Sequence, residues 1–317
     1  MKPVFKILGG VVAAALVLIG GVLLLALARW DRTFDAPLPA LHASTDTAVI
    51  ARGRYLAYGP GRCVECHVAT RASAQATPPL NGGATFVLPI GRITAPNLTP
   101  DTATGIGRFS DAQLARVLRY GVRPDGRALI PFMEMQGLSD EDLVALISYL
   151  RSQPAVRHEL PDQHYNIVGK AVMAFVLKPP TVGTPPPVTN PAESDTVARG
   201  AYIADAVAGC AGCHSKRSMM DGSYLGPRFA GGMQFEADSG MMFVSPNLTS
   251  ARVGRIAGWT EEQFVARFRA GPLLPGTPMP WRAFGRMSDA DVRALFRYLR
   301  TLPPTEADPG PSMKRRS

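Results

Sequence analysis

The sequence predicts an all-α protein in which two similar helical domains follow one N-terminal transmembrane helix. Three observations in the 317-residue chain predict this architecture. An uncharged apolar run lies near the N-terminus, one set of short motifs occurs twice in the same order, and an amphipathic helix pattern ends each copy. Strand patterns are sparse, so we expect each copy to fold as a small helical domain.

The first element is the apolar run from Ile7 to Ala28, which contains no charged residue. A run of about 22 residues is long enough to cross the hydrocarbon core of a bilayer as a helix. A cleaved signal peptide is the alternative, because Ala26-Leu27-Ala28 resembles a cleavage site, but signal peptides have shorter apolar cores. We therefore predict a retained anchor, and both interpretations place the rest of the chain outside the cytoplasm.

A repeat organises the chain after this run. Arg-Gly-x-Tyr begins at Arg52 and again at Arg199, and Pro-Asn-Leu-Thr begins at Pro96 and again at Pro246. Each copy ends in a helix that a serine caps and whose apolar residues recur at i, i+3, i+4 and i+7. We predict these segments: an anchor or signal at 1–30, domain 1 at 45–157, a proline-rich linker at 158–196, domain 2 at 197–304 and a basic tail at 305–317.

All four cysteines belong to two C-x-x-C-H motifs, Cys63-Val64-Glu65-Cys66-His67 and Cys210-Ala211-Gly212-Cys213-His214. This motif is typical of c-type haem attachment, in which two thiols bond one haem and the histidine supplies an axial nitrogen to the iron. A redox dithiol does not require the histidine, and a zinc ribbon holds its two cysteine pairs much closer in sequence. The motifs predict two covalently bound haem c groups, with His67 and His214 as iron ligands.

The paired Pro-Asn-Leu-Thr segments contain Asn97 and Asn247. These asparagines either hydrogen-bond a haem propionate or shape the turn in which they lie. Both interpretations are open on the sequence alone.

The formal net charge of the chain is +9. This excess fits attraction to anionic lipid head groups or to an acidic redox partner, and it equally fits a generic arginine-rich surface. No nucleic-acid-binding module is recognisable, so we predict no nucleic-acid partner.

The two C-x-x-C-H motifs, the Pro-Asn-Leu-Thr pair, the loop around Met279 and the serine-capped last helices resemble diheme, membrane-anchored bacterial cytochromes c. They are also similar to the cytochrome c subunits of periplasmic alcohol and gluconate dehydrogenases, which contain three such units. The resemblance implies two tandem cytochrome c-like domains in the periplasm and one anchor in the inner membrane. It implies an electron carrier, not an enzyme, that links a periplasmic dehydrogenase to a terminal oxidase or a quinone-linked complex.

The second axial ligand of each iron is expected to be a methionine in the loop before the last helix of such a domain. Met279 lies in this loop of the second domain, between two prolines. Met133 occupies the loop of the first domain, and Met135 is its competitor. We predict Met133 and Met279 as iron ligands, while packing in the core is the alternative for any single methionine.

Two other functions stay open on the sequence alone. A diheme redox enzyme of peroxidase or thiosulfate-oxidising type would leave one iron position open, and the loop around Met133 is where such a site fits. A haem subunit of a dehydrogenase or oxidase complex would be held stably by its partner.

Overall fold

The computed structural model of the protein describes residues 2–69, 77–180, 186–218, 222–236 and 240–315. Most of the regular structure in these residues is helical, which confirms the mostly helical prediction. The α-helices are α1 (Lys2–Arg29), α2 (Thr47–Tyr58), α3 (Asp111–Tyr120), α4 (Asp140–Ser152), α5 (Ile167–Ala171), α6 (Thr196–Tyr202), α7 (Cys210–His214), α8 (Glu261–Arg269), α9 (Trp281–Phe284) and α10 (Asp289–Thr301). The strands are β1 (Thr85–Leu88), β2 (Gly91–Thr94), β3 (His164–Tyr165), β4 (Gln234–Glu236), β5 (Met241–Val244) and β6 (Met313–Arg315). We call the residues from α2 to β3 the first unit and those from α6 to β6 the second unit.

Helix α1 is the apolar helix that the N-terminal run predicts. Its segment Val4–Arg29 has a mean hydropathy of 2.9, and its leucine, valine and isoleucine side chains are largely exposed. By length and composition this helix is able to cross a bilayer. Where α1 ends, Trp30 packs against Tyr165 of the first unit, and Ala26 is fully buried.

In each unit the first and last helices cross closely, with α2 on α4 and α6 on α10. A Cβ atom at Gly53 would lie 1.8 Å from the carbonyl oxygen of Ala145, and one at Gly200 would lie 2.0 Å from that of Ala294. Both distances are far shorter than the van der Waals contact distance between a carbon and an oxygen atom. The glycine of each Arg-Gly-x-Tyr motif is therefore required by this crossing.

The predicted caps of the closing helices are present in both units. The side chain of Ser139 accepts a hydrogen bond from the Asp142 N–H at 3.0 Å, and that of Ser288 accepts one from the Asp291 N–H at 3.1 Å. Helices α3 and α8 begin with reciprocal capping boxes. The same sequence signals therefore produce the same helix starts in the two units.

Two small antiparallel sheets are the feature that the strict all-α prediction missed, with strand orders β1-β2-β3 and β4-β5-β6. In each sheet a hairpin is completed by a strand that follows the closing helix of the same unit. Strand β3 lies within the predicted linker and β6 within the predicted basic tail, so neither segment is only a connector or a solvated end. The strands are two to four residues long, which is too short for an alternating side-chain pattern to be visible in the sequence.

A few side chains of the second unit extend the apolar core of the first, while the rest of the second unit has a core of its own. Tyr202 and Ala206 of the second unit are buried in the same cluster as side chains from α2 and α4. Two tyrosine contacts also join the units reciprocally. The Tyr55 hydroxyl donates to Asp291 at 2.6 Å, and the Tyr202 hydroxyl donates to Asp142 at 2.8 Å. Each tyrosine of an Arg-Gly-x-Tyr motif thus contacts the first turn of the other unit's closing helix.

The end of the predicted linker runs along the start of α4. The carbonyl oxygens of Pro187 and Val188 accept hydrogen bonds from the N–H groups of Asp140 and Glu141, at 3.1 and 3.0 Å. The Asn190 side chain donates to the Glu141 carboxylate at 2.8 Å. These bonds satisfy N–H groups that a helix start leaves unpaired, and they hold this segment against the first unit.

Candidate haem sites

A cavity of about 640 Å³ lies beside α7 in the second unit. Its wall contains Cys210, Cys213 and His214 from one C-x-x-C-H motif, together with Met279 from the loop before α9. The remaining wall is mainly apolar and includes Phe235, Phe243, Ile256, Trp259, Phe264 and Trp281. A cavity of roughly 300–1,000 Å³ with apolar walls and a few convergent polar groups is typical of a cofactor site.

Both motif histidines are buried and held in the same orientation. The Nδ1–H of His67 donates to the carbonyl oxygen of Pro96 at 2.9 Å, and that of His214 donates to the carbonyl oxygen of Pro246 at 3.1 Å. Burial lowers the pKa of both rings, which favours the neutral imidazole. A neutral imidazole bonded in this way presents Nε2 as a free metal ligand.

The two proline carbonyls are functional groups that sequence reasoning missed. Pro96 and Pro246 are the first residues of the two Pro-Asn-Leu-Thr segments, and each fixes the ring of the motif histidine in its own unit. The sequence signal for this role is that the Pro-Asn-Leu-Thr segment recurs after each C-x-x-C-H motif.

The four cysteines are half-buried, are not joined in disulfides and lie in single turns of the chain. The first motif begins in a 3₁₀ turn, Cys63–Glu65, and the second forms α7. Burial raises the pKa of the Cys63 and Cys210 thiols to about 12. In the part of the chain that the structure describes, no three His, Cys, Asp or Glu side chains converge as a zinc site requires. The donor set of two thiols and one imidazole fits a covalently attached haem.

The methionines of the two loops lie in two kinds of environment. Met279 is half-buried on the wall of the cavity that also contains His214, whereas Met287 is buried in the core. Met133 is half-buried at the edge of the first unit's core, and Met135 is buried within that core. The second unit thus brings its predicted histidine and methionine to one cavity. In the first unit Met133 is the more accessible of the two candidates.

Asn97 and Asn247 are turn-forming residues in the structure. Each side-chain oxygen accepts a hydrogen bond from the N–H two residues further on, at 2.9 and 2.8 Å. Each amide nitrogen donates at 2.8 Å to a carbonyl oxygen in the segment after the closing helix, that of Val156 or Thr305. Both side chains are buried and fully bonded within the protein, which favours the turn-shaping interpretation.

A buried histidine with a free Nε2, beside two half-buried thiols in a C-x-x-C-H motif, defines a protein of the c-type haem class. The cytochrome c family profile matches residues 50–154, which contain the first motif. The first unit thus matches the cytochrome c family, and the cofactor that this family indicates is haem c.

Relatives with curated names extend this comparison along the chain. A nicotinate dehydrogenase subunit of Pseudomonas putida is 31% identical over 315 residues, covering 94% of this chain and 24% of that protein. The cytochrome c subunit of a quinone alcohol dehydrogenase from Gluconacetobacter polyoxogenes is 29% identical, covering 89% and 64%. A diheme cytochrome c-type protein of Cereibacter sphaeroides is 26% identical, covering 92% and 97%. The chain spans less than two thirds of the length of the first two of these relatives. The predicted resemblance to cytochrome c subunits and diheme cytochromes is confirmed.

Proposed function

We propose that this protein is a diheme c-type cytochrome that carries electrons from a periplasmic donor to a respiratory acceptor in the inner membrane. One observation carries the proposal: each unit has a C-x-x-C-H histidine whose Nδ1–H is bonded to a proline carbonyl, so that Nε2 is free for an iron. A pair of matched sites in contacting units suits electron transfer through the chain.

The haem groups, when bound, supply reversible one-electron chemistry. The protein's own residues orient and shield them. The Pro96 and Pro246 carbonyls fix the ligand rings, and the aromatic wall of the second cavity excludes water from the iron. Met279 and Met133 are the proposed second axial ligands, which would raise the reduction potentials and limit rearrangement on electron transfer.

The proposed donor is a dehydrogenase. This part of the proposal is supported by relatives that are named as dehydrogenase subunits, including the fructose dehydrogenase cytochrome subunit of Gluconobacter japonicus, 28% identical over 287 residues. Helix α1 would anchor the protein, with the haem units on the periplasmic side, next to a quinone-linked complex or a terminal oxidase.

The test is a haem count with optical and magnetic spectra of the purified full-length protein. We expect two covalent haems per chain, both low-spin, with a methionine-to-iron charge-transfer band. Cys66→Ser and Cys213→Ser are matched variants, and each should lower the covalent haem content from two to one. A wild-type haem that is high-spin and binds carbon monoxide readily would overturn the carrier and favour a diheme enzyme.

A second measurement tests the electron donor and the location. We expect the protein to remain in carbonate-washed membranes and to co-purify in mild detergent with a dehydrogenase that reduces its haems on addition of substrate. Haems that no co-purified dehydrogenase reduces would contradict the proposed donor.

A further inference from the structure

Arg62, the residue before the first C-x-x-C-H motif, has an unusual backbone conformation. Its φ and ψ are 59° and 18°, in the left-handed region. Its counterpart before the second motif is Gly209, with φ 61° and ψ 37°. A non-glycine residue in this region costs on the order of 1 kcal/mol. The first unit therefore keeps an arginine where the shared turn favours glycine.

The Arg62 side chain crosses from the first unit to the second. It lines the cavity that contains Cys210, Cys213 and His214. Its Nη2 atom lies 3.5 Å from the position that a Cβ atom at Gly209 would occupy. Burial raises the pKa of both thiols of the second motif, and the positive charge of Arg62 is the largest influence that opposes this rise. The guanidinium is thus an electrostatic neighbour of the second haem attachment site.

The charges around Arg62 do not neutralise it. Glu134 of the first unit is paired with Arg217 at 2.7 Å, and Asp205 is paired with Arg228 at 2.5 Å. Among the residues that the structure describes, the Arg62 guanidinium has no hydrogen-bond or ion-pair partner. Glu134 of the first unit lies 3.6 Å from the same Cβ position at Gly209, but its charge is offset by Arg217, so in the described part of the chain Arg62 is left as an unpaired positive charge at the edge of the second unit's cavity.

We propose that Arg62 of the first unit raises the reduction potential of the haem in the second unit, so that an electron shared by the two haems favours the second. The inference rests on the proposed diheme function. Oxidation adds one positive charge to a haem, and a nearby guanidinium disfavours that charge by Coulomb repulsion. The effect is unequal. Arg62 is the largest influence that opposes the rise in the pKa of Cys210 but the smallest of those acting on Cys63, and Gly209 has no side chain that could act on the first haem in return.

The experiment is a redox titration of the full-length holoprotein with three variants of Arg62. Arg62→Gln removes the charge, Arg62→Gly also supplies the residue that the turn favours, and Arg62→Lys keeps the charge. Arg293→Gln is the matched control, because it removes one positive charge from the exposed surface of α10. The titration step of the second haem is identified as the one that moves when Met279→His replaces its proposed ligand.

We expect Arg62→Gln and Arg62→Gly to lower the second potential, shifting the one-electron equilibrium between the haems on the order of tenfold toward the first. This shift is about 59 mV for a one-electron couple. Arg62→Lys should retain most of the wild-type value, and Arg293→Gln should retain nearly all of it. Arg62→Gly should also unfold at the same temperature as wild type or higher, because the left-handed backbone is then unstrained.

Two results would overturn the proposal. The first is a second potential that moves no further in Arg62→Gln than in Arg293→Gln. The second is a larger change at the first haem than at the second. Either result in a protein with two low-spin haems removes the role of Arg62 and leaves the proposed carrier intact. If the wild-type protein itself does not contain two low-spin haems, the proposed function is overturned instead.

Discussion

The first and second units share their framework and differ in the loops that surround their candidate haem sites. Both have the same close helix crossing, the same capped closing helix, the same histidine-to-proline bond and a hairpin completed by a later strand. They differ at Arg62 and Gly209, which lie at equivalent turns, and in the methionine loops. Phe132 beside Met133 stacks on Phe86 at 5.5 Å, whereas Met279 lies between two prolines on a cavity wall.

This division indicates which parts of the repeat are interchangeable. The elements that position the motif histidine obey the same steric and hydrogen-bonding requirements in both units. The elements that decide the second ligand and the local charge are loops, which tolerate changes in length and sequence. In the proposed diheme protein, two irons on one framework would thereby be able to have different potentials, which would give an electron a preferred direction.

The largest expected effect tests whether the framework is required equally in both units. Gly53→Ala and Gly200→Ala place a Cβ atom 1.8 or 2.0 Å from a backbone carbonyl oxygen of the closing helix, where no side chain is able to move aside. We expect each variant to lose about 3 kcal/mol or more of unfolding free energy, at or beyond the upper end of the usual overpacking range. Denaturant unfolding of the holoprotein measures this loss.

Gly258→Ala is the control, because a Cβ atom there would have no heavy atom within 4 Å and the backbone is not in the left-handed region. It should change stability little. A tolerated alanine at Gly53 but not at Gly200, or the reverse, would mean that the crossing is required in only one of the units.

Much of this framework could be predicted from the sequence because its signals are local. Serine caps, i, i+3, i+4, i+7 apolar positions and the C-x-x-C-H spacing each act within a turn or two of helix. They predicted α4, α10 and both attachment sites. The double occurrence of Arg-Gly-x-Tyr predicted the repeat, although the steric reason for its glycine is visible only in the crossing of two helices.

The missed features depend on contacts between residues far apart in sequence. The sequence predicts only a basic tail where strand β6 lies, because backbone pairing with β5 does not depend on the charge of Lys314 or Arg315. Asn97 was left between two roles, since its carbonyl partner at Val156 lies in another segment. The crossing of Arg62 into the other unit's cavity has no local signal except its position where the repeat has glycine.

A smaller effect separates core methionines from candidate ligands in both units. Met135→Ala and Met287→Ala empty positions that are 5% and 2% exposed, and each should lose about 2–5 kcal/mol of unfolding free energy. Met133→Ala and Met279→Ala act on half-buried side chains and should lose less stability. Only these two should change the charge-transfer band and the potential of one haem.

Paired measurements of denaturant unfolding and optical spectra distinguish the two classes of methionine. If Met135→Ala abolishes a charge-transfer band that Met133→Ala retains, Met135 is the ligand and the two loops differ more than proposed. If both variants retain the band of the first haem, the first iron has another second ligand or none.

The smallest expected effect concerns the tyrosines that join the units. Tyr55→Phe and Tyr202→Phe remove only a hydroxyl, and the aspartates keep their arginine partners within their own units, Arg199 for Asp291 and Arg52 for Asp142. Each variant should therefore lose about 1.5–3 kcal/mol, the usual range for a hydrogen bond to a charged group. Tyr202→Phe should lose more, because the Ser139 N–H that it leaves without a partner is buried, whereas the Ser288 N–H that bonds the Tyr55 hydroxyl at 3.1 Å belongs to an exposed residue.

The double variant tests whether the reciprocal contacts act as one interface. The two hydroxyls have no partner in common, so independent contacts would give losses that add within about 0.5 kcal/mol. A larger combined loss would show that each contact orders the interface for the other.

The haem potentials provide a second measurement of the same interface. Because the Arg62 side chain reaches across it, a loosened interface should lower the potential of the second haem in the double variant, while the potential of the first haem stays unchanged. Unchanged potentials in a destabilised double variant would mean that the apolar core around Ala206 holds the units in register without the tyrosines.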